Sequence, residues 1–330
     1  MKKPNFKLLK ILVFSTAVLA FGSMVLVDEA LARKKSGKSN TSPKKSDEKK
    51  KKKVVKDPKK LEEGDKYFEA RKYEKALKAY TAYIEGYPKK YEGYFKRALT
   101  WIILRNNGPA FLDMNKAIAL EKDKPELWFE RGRLQVARGE FESAIKDLDI
   151  AVKKGSKETL AIHKLKQESF FNSQNLKSQI EELGKIIEVE PRLTWYKKRA
   201  EAYYILKNYE KAIEDYSKAI EKSPKSEGLL LRRGYCYEKT EQWQKAIEDY
   251  STIIDDDPRA YRVFERRATV YFALNDMNNA LADVSKAIFH FRGYNPKDLY
   301  LMRGKIYKNL GQNDKAAKDF AQYAKEKKLH

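Results

Sequence analysis

Small residues return through most of this 330-residue chain at a fixed spacing, and that period limits the fold more than any other feature. Gly64, Ala98, Gly132, Ala200, Gly234, Ala268 and Gly304 follow one another at intervals of 34, 34, 68, 34, 34 and 36. Twelve residues after each stands an alanine: Ala76, Ala110, Ala144, Ala212, Ala246, Ala280 and Ala316. A third series, Tyr83, Ala117, Ala151, Ala219, Ile253, Ala287 and Tyr323, keeps the same phase. A period near 34 describes a solenoid of repeated supersecondary units. Apolar residues fall at helical spacing on two segments per unit, for example Trp195–Leu206 and Glu210–Glu221 with Lys207-Asn208 between them. A glycine or alanine on each helix lets the two axes approach closely. The aromatics three residues past the first small position, among them Tyr67, Trp101, Tyr203 and Tyr237, are expected to fill the wedge beside that contact. So short a helix pair cannot bury its apolar face alone, so neighbouring pairs must stack.

Charge separates this body from what precedes it. The net +23 comes from 70 basic and 47 acidic residues; residues 1–60 hold 18 of the basic and 5 of the acidic. More than half of the surplus therefore lies in less than a fifth of the chain. That is a basic arm on a mixed-charge body, not a globally basic nucleic-acid-binding fold. Lys2, Lys3, Lys7 and Lys10 precede an uncharged apolar run from Ile11 to Val27, and Ala30-Leu31-Ala32 follows. This order predicts a signal peptide over residues 1–32, cut after Ala32, and export to the periplasm, the cell envelope or beyond. The alternative is an uncleaved inner-membrane anchor over residues 11–27, and Arg33, Lys34, Lys35 and Lys38 favour it by resisting translocation. Residues 33–60 are rich in lysine and poor in anything to bury, which predicts a disordered linker. It either holds anionic lipid or wall polymer, making the protein a surface tether, or acts as a solubilising spacer.

The repeating positions closely resemble the tetratricopeptide repeat family. Units begin near Asp57, Tyr91, Pro125, Thr159, Leu193, Glu227, Tyr261 and Lys297, and Tyr209-Glu210-Lys211-Ala212-Ile213-Glu214-Asp215-Tyr216 is similar to the family's second-helix pattern. The resemblance implies an all-α, right-handed superhelical solenoid of antiparallel helix pairs over residues 61–330. The fourth unit departs from the pattern. Lys166 or Gln167 stands where a small residue belongs, and Ser178 or Gln179 replaces the alanine.

Arginine precedes the small residue in six units, and aspartate follows it by sixteen: Arg97 and Asp113, Arg131 and Asp147, Arg199 and Asp215, Arg233 and Asp249, Arg267 and Asp283, Arg303 and Asp319. The two residue types occur together or not at all. The simplest reading is an ion pair between the two helices of one unit.

The resemblance also implies a concave face, made by the first helix of each unit, that holds peptides. On units five to seven it includes Lys197, Lys198, Tyr204, Arg232, Tyr235, Arg262, Arg266 and Phe272. Family members that bind acidic chaperone C-termini use a five-residue carboxylate clamp. Lys197, Arg262 and Arg266 fall at three of its positions, but Glu201 and Arg232 replace its asparagines. The expected ligand is therefore a protein segment that is acidic or carries a free C-terminus. The single Cys236 reads as packing, and three scattered histidines give no metal site or catalytic centre. The chain reads as a non-catalytic interaction scaffold without a cofactor. Phe320 and Tyr323 in the last unit are candidates for self-association.

Overall fold

The computed structural model describes residues 56–291 and 296–328. The expected signal peptide, the membrane-anchor alternative and nearly all of the basic linker lie outside these residues. Among the described residues no helix is long and apolar enough to cross a membrane. They contain sixteen helices and no strand. In chain order the pairs are α1 (Lys59–Glu69) with α2 (Tyr73–Gly86), α3 (Tyr91–Ile103) with α4 (Asn107–Leu120), α5 (Pro125–Arg138) with α6 (Phe141–Lys153), and α7 (Thr159–Asn172) with α8 (Leu176–Val189). They continue as α9 (Leu193–Ile205) with α10 (Tyr209–Lys222), α11 (Glu227–Lys239) with α12 (Trp243–Asp256), α13 (Tyr261–Ala273) with α14 (Met277–His290), and α15 (Lys297–Asn309) with α16 (Asn313–Lys328). Each helix packs on its partner, and the second helix of each pair packs on the first helix of the next.

A left-handed residue turns the chain within every pair. It is Gly139 or Gly311 in two of them and Arg71, Arg105, Gln174, Lys207, Glu241 or Asn275 in the others, at φ of 56–61°. The next helix starts from a side-chain cap in three places. Asn175, Asn208 and Asp276 accept hydrogen bonds from the backbone N–H groups of Ser178, Lys211 and Asn279.

The small residues allow close contact, but the side chains above them come from the second helix and not from the expected aromatics. A Cβ built on Gly234 would lie 2.6 Å from the Tyr250 ring, and one on Gly304 would lie 2.7 Å from Phe320. Tyr80, Met114, Leu148, Tyr216, Tyr250 and Val284, each sixteen residues past a small position, are fully buried. Of the expected aromatics Tyr67, Trp101 and Tyr203 are only half-buried, and Tyr237 is buried. The physical reason is the helix hairpin: sixteen residues carry the chain round the turn and directly opposite its starting point, whereas three residues carry it one turn up the same helix. One continuous apolar cluster runs from Ala200 to Ile306 across units five to eight, and smaller clusters fill units two to four.

Unit four is out of register by one residue. The left-handed residue moves from 139 to 174, a step of 35, and then to 207, a step of 33. Thus α7 gains a residue, and the connection from α8 to α9 loses one. The pair that occupies the small positions is therefore Gln167 and Gln179, both buried. Lys166 takes the place of the absent arginine. Its Nζ lies 2.9 Å from Glu182 Oε1, sixteen residues on, and 2.8 Å from Asp149 in the preceding unit. His163 Nδ1 lies 2.6 Å from the other oxygen of Glu182.

Candidate functional site

The arginines and the basic face arise from one local pattern. Consecutive residues on a helix point about 100° apart, so in a basic doublet one side chain turns into the hairpin and the other faces out. The inward members are the six arginines named above. In each, Nε and Nη2 donate to the two carboxylate oxygens of the aspartate sixteen residues on, at 2.6–3.0 Å. The fork fits the carboxylate in two parallel charge-assisted bonds. These hydrogen bonds to aspartate are the chief cause holding Arg97, Arg199 and Arg303 above the ordinary guanidinium pKa.

Four of these arginines also tie one unit to the one before it. Nη1 of Arg97, Arg131, Arg233 and Arg267 donates to Thr81, Asn115, Ser217 and Ser251 at 2.8–3.0 Å. Sequence reasoning missed this second link. The recurring Thr, Asn or Ser sixteen residues before each arginine was its signal.

The outward members differ between units. The residue before the inward arginine is Lys96 in unit two, Glu130 in unit three and Met302 in unit eight, but Lys198, Arg232 and Arg266 in units five to seven. Lys96 is already paired with Asp65 at 2.8 Å. Three successive first helices, α9, α11 and α13, thus carry a basic residue at this position. Arg232 and Arg266, with Arg262, border a cleft of about 710 Å³ lined also by Leu231 and Leu299, with Asp298 on α15 at its edge. Arg232 lies over the Tyr204 ring at 5.2 Å, and Arg266 over Tyr235 at 4.9 Å. The two tyrosine rings are 5.6 Å apart. The result is a cation–aromatic ladder across three units. Arg262, one turn before Arg266, donates from Nε to Tyr261 Oη at 3.1 Å.

Of the eight residues expected on this face, Tyr204, Arg232, Tyr235, Arg262 and Arg266 line the cleft. Lys198 joins Tyr204 and Arg232 around a second, adjoining cavity. Lys197 is exposed and Phe272 packs half-buried against the core, and neither lines either space. Two acidic residues that sequence reasoning did not place also border the cleft. Burial pushes the Glu265 carboxyl above its ordinary range, and Asp298 lies nearby on α15. Behind Arg266, Glu238 accepts from Tyr250 Oη and lies 3.6 Å from the guanidinium; burial raises its pKa as well.

Other candidate chemistry is absent from this region. Cys236 is fully buried, and burial raises its thiol pKa to about 12, so little thiolate forms near neutrality. No group of three or more His, Cys, Asp or Glu among the described residues is arranged to hold a metal ion. Phe320, a candidate for self-association, lies half-buried over Gly304, and Tyr323 is also half-buried.

Comparison with known proteins places this geometry in context. Human serine/threonine-protein phosphatase 5 is 32% identical over 91 residues, which is 28% of this chain and 18% of that protein. Mouse DnaJ homolog subfamily C member 3 is 30% identical over 98 residues, or 30% of this chain and 19% of the relative. The matched stretch is thus less than a fifth of either relative. Among solved structures, Naa15/Naa10 bound to HypK-THB superposes with a TM-score of 0.61 at 17% identity, over 76% of this chain and 38% of that one. The C-terminal part of a TPR repeat-containing protein from Cytophaga hutchinsonii gives 0.50 at 19% identity, over 71% of this chain and all of that one. These likenesses concern the fold. Residues 194–226, 229–260 and 298–327 match family models described as tetratricopeptide repeat. Those three matches, with sixteen helices paired in a repeating array among the described residues, support a tetratricopeptide-repeat protein.

Proposed function

We propose that this solenoid is a protein-interaction scaffold whose cleft across α9–α15 holds an acidic segment of a partner. The observation that carries this reading is the tyrosine–arginine ladder. Among the described residues neither Arg232 nor Arg262 has a carboxylate within ion-pair distance, although both border an aromatic cleft. A guanidinium stacked on a ring keeps its in-plane N–H donors free for a carboxylate. An acidic side chain or a C-terminal carboxylate supplies the charge, and the apolar floor accepts the side chain between two such groups. The repeat fold is typically an interaction module, which fits the same role. The relative described as a phosphatase matches this chain over 18% of its length, and its activity is not carried across.

The test is fluorescence anisotropy of a labelled pentaglutamate peptide with a free C-terminus. The parent protein should bind it at least ten times more tightly than a pentalysine control. Arg232→Ala with Arg262→Ala should weaken binding about tenfold or more. Equal affinity for the two peptides would sink the reading. We also propose that the scaffold is exported by residues 1–32. A mature protein whose N-terminal sequencing starts at Arg33 supports that; one starting at Met1 or Lys2 opposes it.

A further inference from the structure

We propose that the cavity between the fourth and fifth pairs is a carboxamide pocket, which takes a glutamine or asparagine side chain of the bound segment. This rests on the groove being the site of an extended segment, and it adds a second, uncharged specificity to the acidic one.

Gln167 on α7 and Gln179 on α8 occupy the facing positions that other pairs give to glycine or alanine. Their residues are 4% and 3% exposed, and the side-chain oxygen of each has no hydrogen-bond partner. Both line a cavity of about 350 Å³. Leaving a buried amide oxygen unpaired is unfavourable, and an aliphatic side chain would fill the same volume without that penalty. Two such amides at one contact, both bordering one space, point to a ligand that pairs with them.

The surroundings narrow its chemistry. Phe171 and Ile205 form apolar walls and are each 58% exposed, so the space opens outward. At the mouth, Lys198 and Arg232 are balanced by Glu168 and Glu201. The lining charges sum to zero, against a net of one positive charge in the cleft beside it, so net charge favours neither an anion nor a cation here. An amide both donates and accepts in one plane, and the neutral group that matches it in both respects is another carboxamide. Tyr204 and Arg232 line this cavity and the cleft alike, so one extended segment reaches both.

The test uses the full chain and labelled peptides: pentaglutamate alone, with four glutamines added at either end, and with four alanines in their place. One glutamine-extended peptide should bind about tenfold more tightly than its alanine counterpart, as two added hydrogen bonds would give. The advantage should vanish in Gln167→Leu with Gln179→Leu, and that variant should melt at or above the parent temperature. Phe171→Ala, which removes an exposed wall, should reduce the advantage and leave melting unchanged. Equal binding of glutamine and alanine peptides would mean the amides merely hold water, and the proposal would fall. A double variant that melts lower or fails to fold would assign the amides to the fold and overturn it equally. If pentaglutamate itself does not bind, the acidic reading fails. The pocket is then judged by tetraglutamine against tetraalanine in ligand-observed NMR, where equal signals reject it.

Discussion

Arg232 and Arg233 are neighbours in sequence and opposites in environment. Arg233 sits inside the hairpin with both Asp249 oxygens and Ser217, whereas Arg232 lies over Tyr204 at the edge of the cleft. Removing the inner side chain leaves Asp249, only 4% exposed, as an unpaired carboxylate. We expect Arg233→Ala to lose about 2–4 kcal/mol in urea unfolding, near the range for breaking a buried pair and discounted for a partly exposed arginine. Arg233→Lys keeps the charge but not the fork, and should lose less than half as much. Ser217→Ala, which cuts only the link between units, should cost about 1 kcal/mol. Arg232→Ala should move stability by no more than about 0.5 kcal/mol while weakening the pentaglutamate complex. Similar unfolding curves for Arg232→Ala and Arg233→Ala would show that the doublet does not divide its work. The pairing of each arginine with a residue sixteen further on was legible because the two types appear and vanish together along the chain. The third partner was harder to see, since Thr81, Asn115, Ser217 and Ser251 share only the ability to accept a hydrogen bond.

At the level of the helix pair, the turn imposes a conformational demand that most of these units meet with an unfavourable residue. Six of the eight left-handed turn positions carry a side chain. A residue with a Cβ pays roughly 1–2 kcal/mol there, against roughly 0.5–1 kcal/mol of extra chain entropy for glycine. Lys207→Gly should therefore raise stability by about 0.5–1 kcal/mol, and Gly139→Ala should lower it by about 1 kcal/mol or more. A thermal melt of each variant checks both signs, and a fall with Lys207→Gly would show that the lysine side chain contributes more than its backbone strain costs. The same turn explains why unit four was only partly readable. Its extra residue in α7 is cancelled before α9, so Leu193 returns to the general phase, while Pro191 stands one residue late against Pro88, Pro224 and Pro258 and carries the slip. Two residues were left open at each small position, and the placement of Gln174 in the left-handed turn selects Gln167 and Gln179. The shift also turns Lys166, out of phase in the sequence, into the counterpart of the missing arginine. A period alone locates repeats; it does not locate a compensated slip within one.

Across the whole array, the cleft is lined by residues separated by about a hundred positions, from Tyr204 to Leu299, that only stacking brings together. The sequence marked Tyr204, Arg232, Tyr235, Arg262 and Arg266, which lie on first helices, but not Tyr261 or Phe291. It did not mark Glu265, beside Arg266 on α13, or Asp298, whose approach to the arginines depends on how the eighth pair stacks on the seventh. Glu265 makes the cleft responsive to pH. Glu265 has a raised pKa because burial disfavours its charged form, so it takes up a proton as the pH falls from neutral toward the ordinary glutamate range, before an exposed glutamate would. Protonation removes a negative charge from beside Arg262 and Arg266, so an acidic segment should bind more tightly as the pH falls. The peptide's own carboxylates begin to protonate over a neighbouring range and work against this, and Glu238 behind Arg266 is raised in the same direction. A comparison of two proteins with one peptide separates these effects. Glu265→Gln should bind pentaglutamate about three- to tenfold more tightly than the parent at pH 7, the gain expected from removing one screened like charge at a partly exposed site. The ratio should shrink as the pH falls and the parent's own Glu265 takes up a proton. Anisotropy titrations at pH 7, 6 and 5 provide the measurement. A ratio that grows as the pH falls would place the titrating group elsewhere, and a ratio of one at pH 7 would put the acidic segment outside the reach of Glu265.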